Sequence, residues 1–119
     1  MKKIKFDVDF DRAVDHLVPE GDHVVTVEKM EVREGKESNE QYLNWQLRTA
    51  DGRCLFMKTS RHPDALRNLQ RIYRILGVTH KGRVQIDTNE LVGKKMLVTV
   101  EHGTFDDIPR EEITKVNAM

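Results

Sequence analysis

The position of one amphipathic helix constrains this chain more than any other feature. Between Pro63 and Gly77 the apolar residues Leu66, Leu69, Tyr73 and Leu76 recur at spacings of three and four, and Ile72 and Ile75 widen the stripe. Arg67, Arg71 and Arg74 fall on another face. Pro63 suits the first helical turn, where its missing N–H costs nothing, and Gly77 suits a left-handed exit. Three strand-like segments precede this helix and two follow it. In such an order the helix plugs one end of a small barrel, and its arginines are expected on a solvated face.

The strand-like segments are distinct. His23 to Val32 is valine-rich and lacks Pro and Gly, which predicts a long first strand. Val25 and Val27 share one parity while Val24, Met30 and Val32 share the other, so a bulge or coil partway along is expected. In Gln41 to Thr49, Leu43, Trp45 and Leu47 alternate with Tyr42, Asn44, Gln46 and Arg48. Ala50 to Arg53 holds the hairpin signal Asp51-Gly52, and Cys54 to Thr59 returns as a third strand. After a loop over 78–86, Asp87 to Leu91 reads as one helical turn, with Asp87 as its cap and Glu90 three residues on. Met96 to His102 is a fourth strand, Gly103 to Pro109 a loop, and Glu111 to Val116 a short fifth strand. Residues 1–20 form an N-terminal arm or a short helix with Phe10, Ala13, Val14 and Leu17 on one side, and 21–119 form the domain. The expected fold is mainly β with one helix: a five-stranded OB-fold barrel with the helix between strands 3 and 4.

Charge narrows the function classes. Twenty Lys and Arg balance twenty Asp and Glu, which argues against binding nucleic acid by bulk electrostatics alone. The distribution is uneven: residues 61–77 hold four arginines against one aspartate, and 101–112 hold one arginine against five carboxylates. No apolar run reaches the length of a membrane-spanning helix, and the basic start Met1 to Lys5 leads into Asp7, Asp9 and Asp11 rather than an apolar stretch. A cytoplasmic protein without membrane contact is therefore expected. Cys54 is alone, and His16, His23, His62, His80 and His102 show no metal-ligand spacing. Phosphate-binding and dinucleotide glycine motifs are absent. A non-enzymatic chain without metal or cofactor is the expectation.

Single-strand binding needs aromatic faces for bases and cations along the phosphate path. In this fold the surface for that purpose is the outer face of strands 2 and 3 with the loops between strands 1 and 2 and strands 4 and 5. It selects Tyr42, Asn44, Gln46 and Arg48 on strand 2, Phe56 and Lys58 on strand 3, Arg33 and Lys36 in the first loop, and Phe105 in the last. The bland alternative is an ordinary solvated sheet face with Phe56 in the core. Trp45 shares the parity of Leu43 and Leu47, and Tyr73 lies on the helix stripe, so both are expected in the core.

Several stretches carry a family resemblance: Gly21 to Val27, Tyr42 to Leu47, Leu66 to Leu69 continuing to Leu76-Gly77, Leu91 to Lys95, and Val98 to Glu101 with Phe105. On these the chain resembles a family of small phage-encoded OB-fold proteins from replication and recombination modules, often described as single-stranded-DNA-binding-like. The resemblance implies binding of single-stranded DNA, phage replication or recombination proteins as partners, and residence in the host bacterial cytoplasm. It leaves oligomerisation open. The last residues, Lys115 to Met119, lack the acidic tail with which many single-strand binders recruit partners, so recruitment of that kind is not expected. The competing reading is a protein-interaction module, an adaptor or an inhibitor of a host or phage protein.

Overall fold

The computed structural model describes residues 8, 17–35 and 40–119, and places five antiparallel strands in one sheet. β1 (Gly21–Glu34), β2 (Gln41–Thr49) and β3 (Cys54–Ser60) form a meander. A 3-10 turn, Pro63–Ala65, leads into α1 (Leu66–Ile75), and β4 (Lys95–Phe105) and β5 (Ile108–Asn117) form a hairpin. The strand order is β3-β2-β1-β4-β5, with β1 at the centre. The edge strands β3 and β5 come into contact, yet among the described residues no hydrogen-bonded ladder joins them. The expected strand count and helix position are present; the closed barrel is not formed by hydrogen bonding.

The core lies on the inner face. Val25, Val27, Trp45, Leu47, Leu55, Met96, Val98 and Val100 are buried there, with Ile72, Tyr73 and Leu76 of the helix and its exit packed against them. Trp45 is wholly buried, and its indole N–H donates to the Thr59 hydroxyl at 2.8 Å. Tyr73 meets the indole edge-on, with ring centroids 6.2 Å apart and planes at 83°. Such a pair adds about 0.5–1.5 kcal/mol beyond the area it buries. Both aromatics are in the core, as their parity predicts. Gly77 takes the left-handed conformation (φ 86°) that ends the helix.

The expected bulge in β1 falls between Val27 and Lys29, and it explains the strand's mixed parity. Glu28 is the extra residue, so Val25, Val27 and Met30 all reach the core. At the same point β1 leaves β4: the last β1–β4 pair is Thr26 with Lys95, and Val27 then exchanges backbone hydrogen bonds with Lys94 and Gly93. Val24 and Val32 remain exposed.

Several boundaries differ from the sequence expectation. The stretch expected as a loop at Gly103 to Pro109 is mostly strand, and β4 and β5 meet in a two-residue turn at Asp106 and Asp107. Both aspartates have positive φ (51° and 63°), the geometry that matches the twist of a hairpin and that Asp tolerates better than most residues. Pro109 is accommodated because β5 is an edge strand. Gly103 leaves room for the Glu112 side chain, whose carboxylate would lie 2.9 Å from a Cβ there. Asp87 to Leu91 is a turn rather than a helix. Asp87 accepts from the Asn89 N–H at 2.9 Å, while Glu90 faces His80 at 2.9 Å instead of folding back on the cap. Of the N-terminal segment, Phe10, Ala13 and Val14 lie outside the described residues. Leu17 and Val18 are buried, held by Arg53 donating to the Leu17 carbonyl and by the Val18 N–H donating to Glu111 at 2.6 Å. No helix among the described residues is long and apolar enough to cross a membrane.

Candidate nucleic-acid interface

Strand register brings most of the expected site residues onto one outer face. Tyr42 lies opposite Ser60, Asn44 opposite Lys58, Gln46 opposite Phe56 and Arg48 opposite Cys54. On the other flank of β2, Arg33, Glu31 and Lys29 of β1 pair with Tyr42, Asn44 and Gln46. Lys36 lies outside the described residues. Phe56 is 58% exposed, so it is a surface ring and not part of the core. Lys58 is exposed as well, and its ammonium sits 5.3 Å from the centroid of the half-buried Tyr42 ring. Asn44 departs from expectation: it is buried, because the longer Glu31 and Lys58 flank this short side chain on both neighbouring strands.

Electrostatics divide this face. The bulge projects Glu28 over β2, where its carboxylate takes two hydrogen bonds from the Arg48 guanidinium (2.7 and 2.8 Å) and one from the Gln46 amide (2.7 Å). The Arg48 contact holds Glu28 below the ordinary carboxylate value and pushes Arg48 up. Glu31 is likewise lowered, first by Lys29 at 2.5 Å and then by Arg33 at 2.9 Å. Arg33, Gln46 and Arg48 are therefore engaged within the protein, and neither arginine is an open phosphate contact. Burial pushes the Cys54 thiol up, away from the thiolate form that a nucleophile needs.

Beyond the far end of β3 the pattern reverses. Arg61, α1 and the chain from His80 to Ile86 border an open cavity of about 760 Å³ beside Tyr42 and Val32. Val32, Leu43, Leu66, Leu69, Val84 and Ile86 supply its apolar surface. Arg61, Arg67 and Arg83 also line it, and no carboxylate does among the described residues. All three arginines are exposed, and among the described residues none forms an ion pair. Helical arginines expected to share one solvated face thus separate: Arg67 faces the cavity, whereas Arg71 donates to Asn117 at 3.0 Å on the β5 side. Leu66, expected in the core stripe, is 45% exposed at the cavity.

Arg61, Arg67 and Arg83 are absent from the sequence-derived set. The arginine excess of 61–77 marks Arg61 and Arg67 in the sequence, whereas Arg83 lies outside that window. Phe105 is exposed at the end of the β4–β5 hairpin, with Arg110 5.6 Å from its ring, but Asp106 and Asp107 follow it directly. It is not brought together with the β2–β3 residues. No model of a known protein family matches the chain, and no curated protein matches it.

Proposed function

We propose that this chain is an OB-fold protein that binds single-stranded DNA, working in a phage replication or recombination module as its sequence resemblance implies. The binding path runs along the β3 side of the outer face, from Phe56 past Lys58 and Tyr42 to Arg61 and its cavity neighbours Arg67 and Arg83, and avoids the β1 side. One observation carries this reading. Outer-face cations on β1 and β2 are ion-paired, whereas among the described residues Lys58 and the three cavity arginines are not, and they adjoin an exposed phenyl ring and a tyrosine.

Phe56 and Lys58 lie two residues apart on one face of β3, about 7 Å along the strand. A base stacked on Phe56 gains roughly 1–3 kcal/mol, and Lys58 then meets the adjoining phosphate. These four cations, unpaired among the described residues, predict a log–log salt slope of about −3 for a single strand, shallow for a DNA-binding protein and compatible with zero net charge. The test is fluorescence anisotropy with a labelled oligothymidine of about 30 nucleotides, long enough for several OB-fold site sizes. Wild type binds at low salt, and Phe56→Ala binds about tenfold more weakly. Absence of binding at tens of micromolar protein overturns the proposal.

The protein-interaction alternative draws on a different region. Phe105 and Ile108 stand exposed around the acidic turn of the hairpin, 62% and 66% accessible. A protein partner captured by wild type and lost by Phe105→Ser, with oligonucleotide affinity absent throughout, favours that reading.

A further inference from the structure

The cavity beside α1 has features that a track for an extended strand does not need. Its volume of about 760 Å³ lies within the range of small-molecule sites, roughly 300–1,000 Å³. Val32, Leu66 and Val84 leave apolar surface uncovered around it, 43–52% exposed, which is the surface a planar ring covers on entry. Tyr73 also lines the cavity. Only 3% of its surface is accessible, and among the described residues its hydroxyl has no hydrogen-bond partner. A buried phenol without a partner is costly, and a ligand that supplies one recovers that cost. Next to Tyr73, the His80 ring lies 5.5 Å away by centroids and is fixed by Glu90 at 2.9 Å.

We propose that this cavity binds a nucleoside phosphomonoester, with the base on the apolar surface within reach of the Tyr73 hydroxyl and the phosphate held by Arg61, Arg67 and Arg83. The charge match selects the phosphate. Three arginines with no carboxylate among the described lining residues suit a dianion better than the single charge of an internal phosphodiester, and the guanidinium fork grips phosphate oxygens in pairs. A phosphomonoester carries close to two negative charges at neutral pH. The Tyr73 hydroxyl, pushed up to about 12 by burial, stays protonated across the working range and both donates and accepts. A fatty carboxylate meets the apolar surface, yet it brings one charge and leaves the phenol without a partner. The ligand has two sources, a free nucleotide or the phosphorylated end of a strand, and only the second rests on the single-strand reading.

Calorimetric titration of the full chain with dTMP, thymidine, inorganic phosphate and laurate tests the cavity. The expected result is that dTMP binds at least about tenfold more tightly than either of its fragments, and that Arg67→Gln and Arg83→Gln each lose about tenfold. Tyr73→Phe keeps the ring that packs on Trp45 and melts no lower than wild type, yet weakens dTMP severalfold. A merely structural tyrosine shows the same melting behaviour but leaves dTMP affinity unchanged. Equal binding of dTMP and inorganic phosphate, tighter binding of laurate, or unchanged dTMP affinity in Tyr73→Phe and Arg67→Gln together overturns the proposal. Oligothymidines with and without terminal phosphate separate the sources: about tenfold preference for the phosphorylated end identifies the strand terminus, and its absence with dTMP still bound identifies the free nucleotide. Loss of all oligonucleotide binding with dTMP retained overturns the single-strand reading alone.

Discussion

On the β1 side of the outer face, Arg48, Arg33 and Lys29 end on Glu28 and Glu31; beyond β3, Arg61, Arg67 and Arg83 end on no carboxylate among the described residues. The two regions hold equal numbers of these cations and offer a phosphate very different receptions. In the first, a ligand anion must displace a bidentate carboxylate before it gains anything. In the second the guanidinium groups are exposed and already converge on a cavity. Where charges are neutralised, and not the sum of charges, decides which surface of a neutral protein attracts an anion.

Reversing the unpaired set gives the largest expected effect. Arg67→Glu combined with Arg83→Glu lowers oligonucleotide affinity by about 100-fold or more, whereas Arg33→Ala changes it by about twofold or less, both read by anisotropy at fixed salt. Similar losses in the two variants break the comparison. Releasing a paired cation gives a smaller effect of opposite sign. Glu28→Gln keeps the side-chain shape but removes the charge that occupies Arg48, so affinity rises about two- to fivefold and the salt slope steepens by about 0.7. An unchanged slope shows that Arg48 is out of reach of the strand.

The smallest effect is on stability. Hydrogen bonds from Arg48 to Glu28, and from Lys29 and Arg33 to Glu31, hold both carboxylates below their ordinary value in the folded state. As pH falls through the ordinary carboxylate range, the unfolded chain takes up protons first, so stability present near neutrality is lost toward acid. Both pairs are solvent-exposed, which keeps the contribution small. Melting temperature followed from pH 7 to pH 3 should decline with a slightly flatter profile in Glu28→Gln; an identical profile assigns the acid sensitivity to other groups.

Local patterns in the sequence carry most of the fold. The helix over Leu66–Ile75, the left-handed exit at Gly77, the parity of Trp45 and the mixed parity of β1 each have a local physical cause and are found where the residues place them, although Leu66 at the head of the helical stripe is exposed. The long β4–β5 hairpin is harder to read, because apolar alternation stops after Val100 and Gly103 and Pro109 resemble loop residues. Its turn is made by two aspartates in a conformation usually signalled by Gly or Asn. The site is only half legible. Phe56 and Lys58 follow from β3 alternation, but the loss of Arg48 to Glu28 depends on a bulge one strand away. The cavity draws Arg61, Arg67 and Arg83 from three segments that only the tertiary fold brings together.

The central place of β1 in the strand order also has a consequence for how the chain is made. Its partner β2 follows within a few residues, and β3 completes a meander from nearby sequence. On its other side Gly21 must wait for Val100 and Thr26 for Lys95. At about 5–20 residues per second, a ribosome needs several seconds to deliver that second partner. During this interval the Gly21–Thr26 edge presents unpaired backbone groups, and the valines at 25 and 27 lack their cover from β4. Translation speed between the meander and β4, and chaperone access to that edge, thus become determinants of yield for a protein whose finished sheet carries β1 safely at its centre.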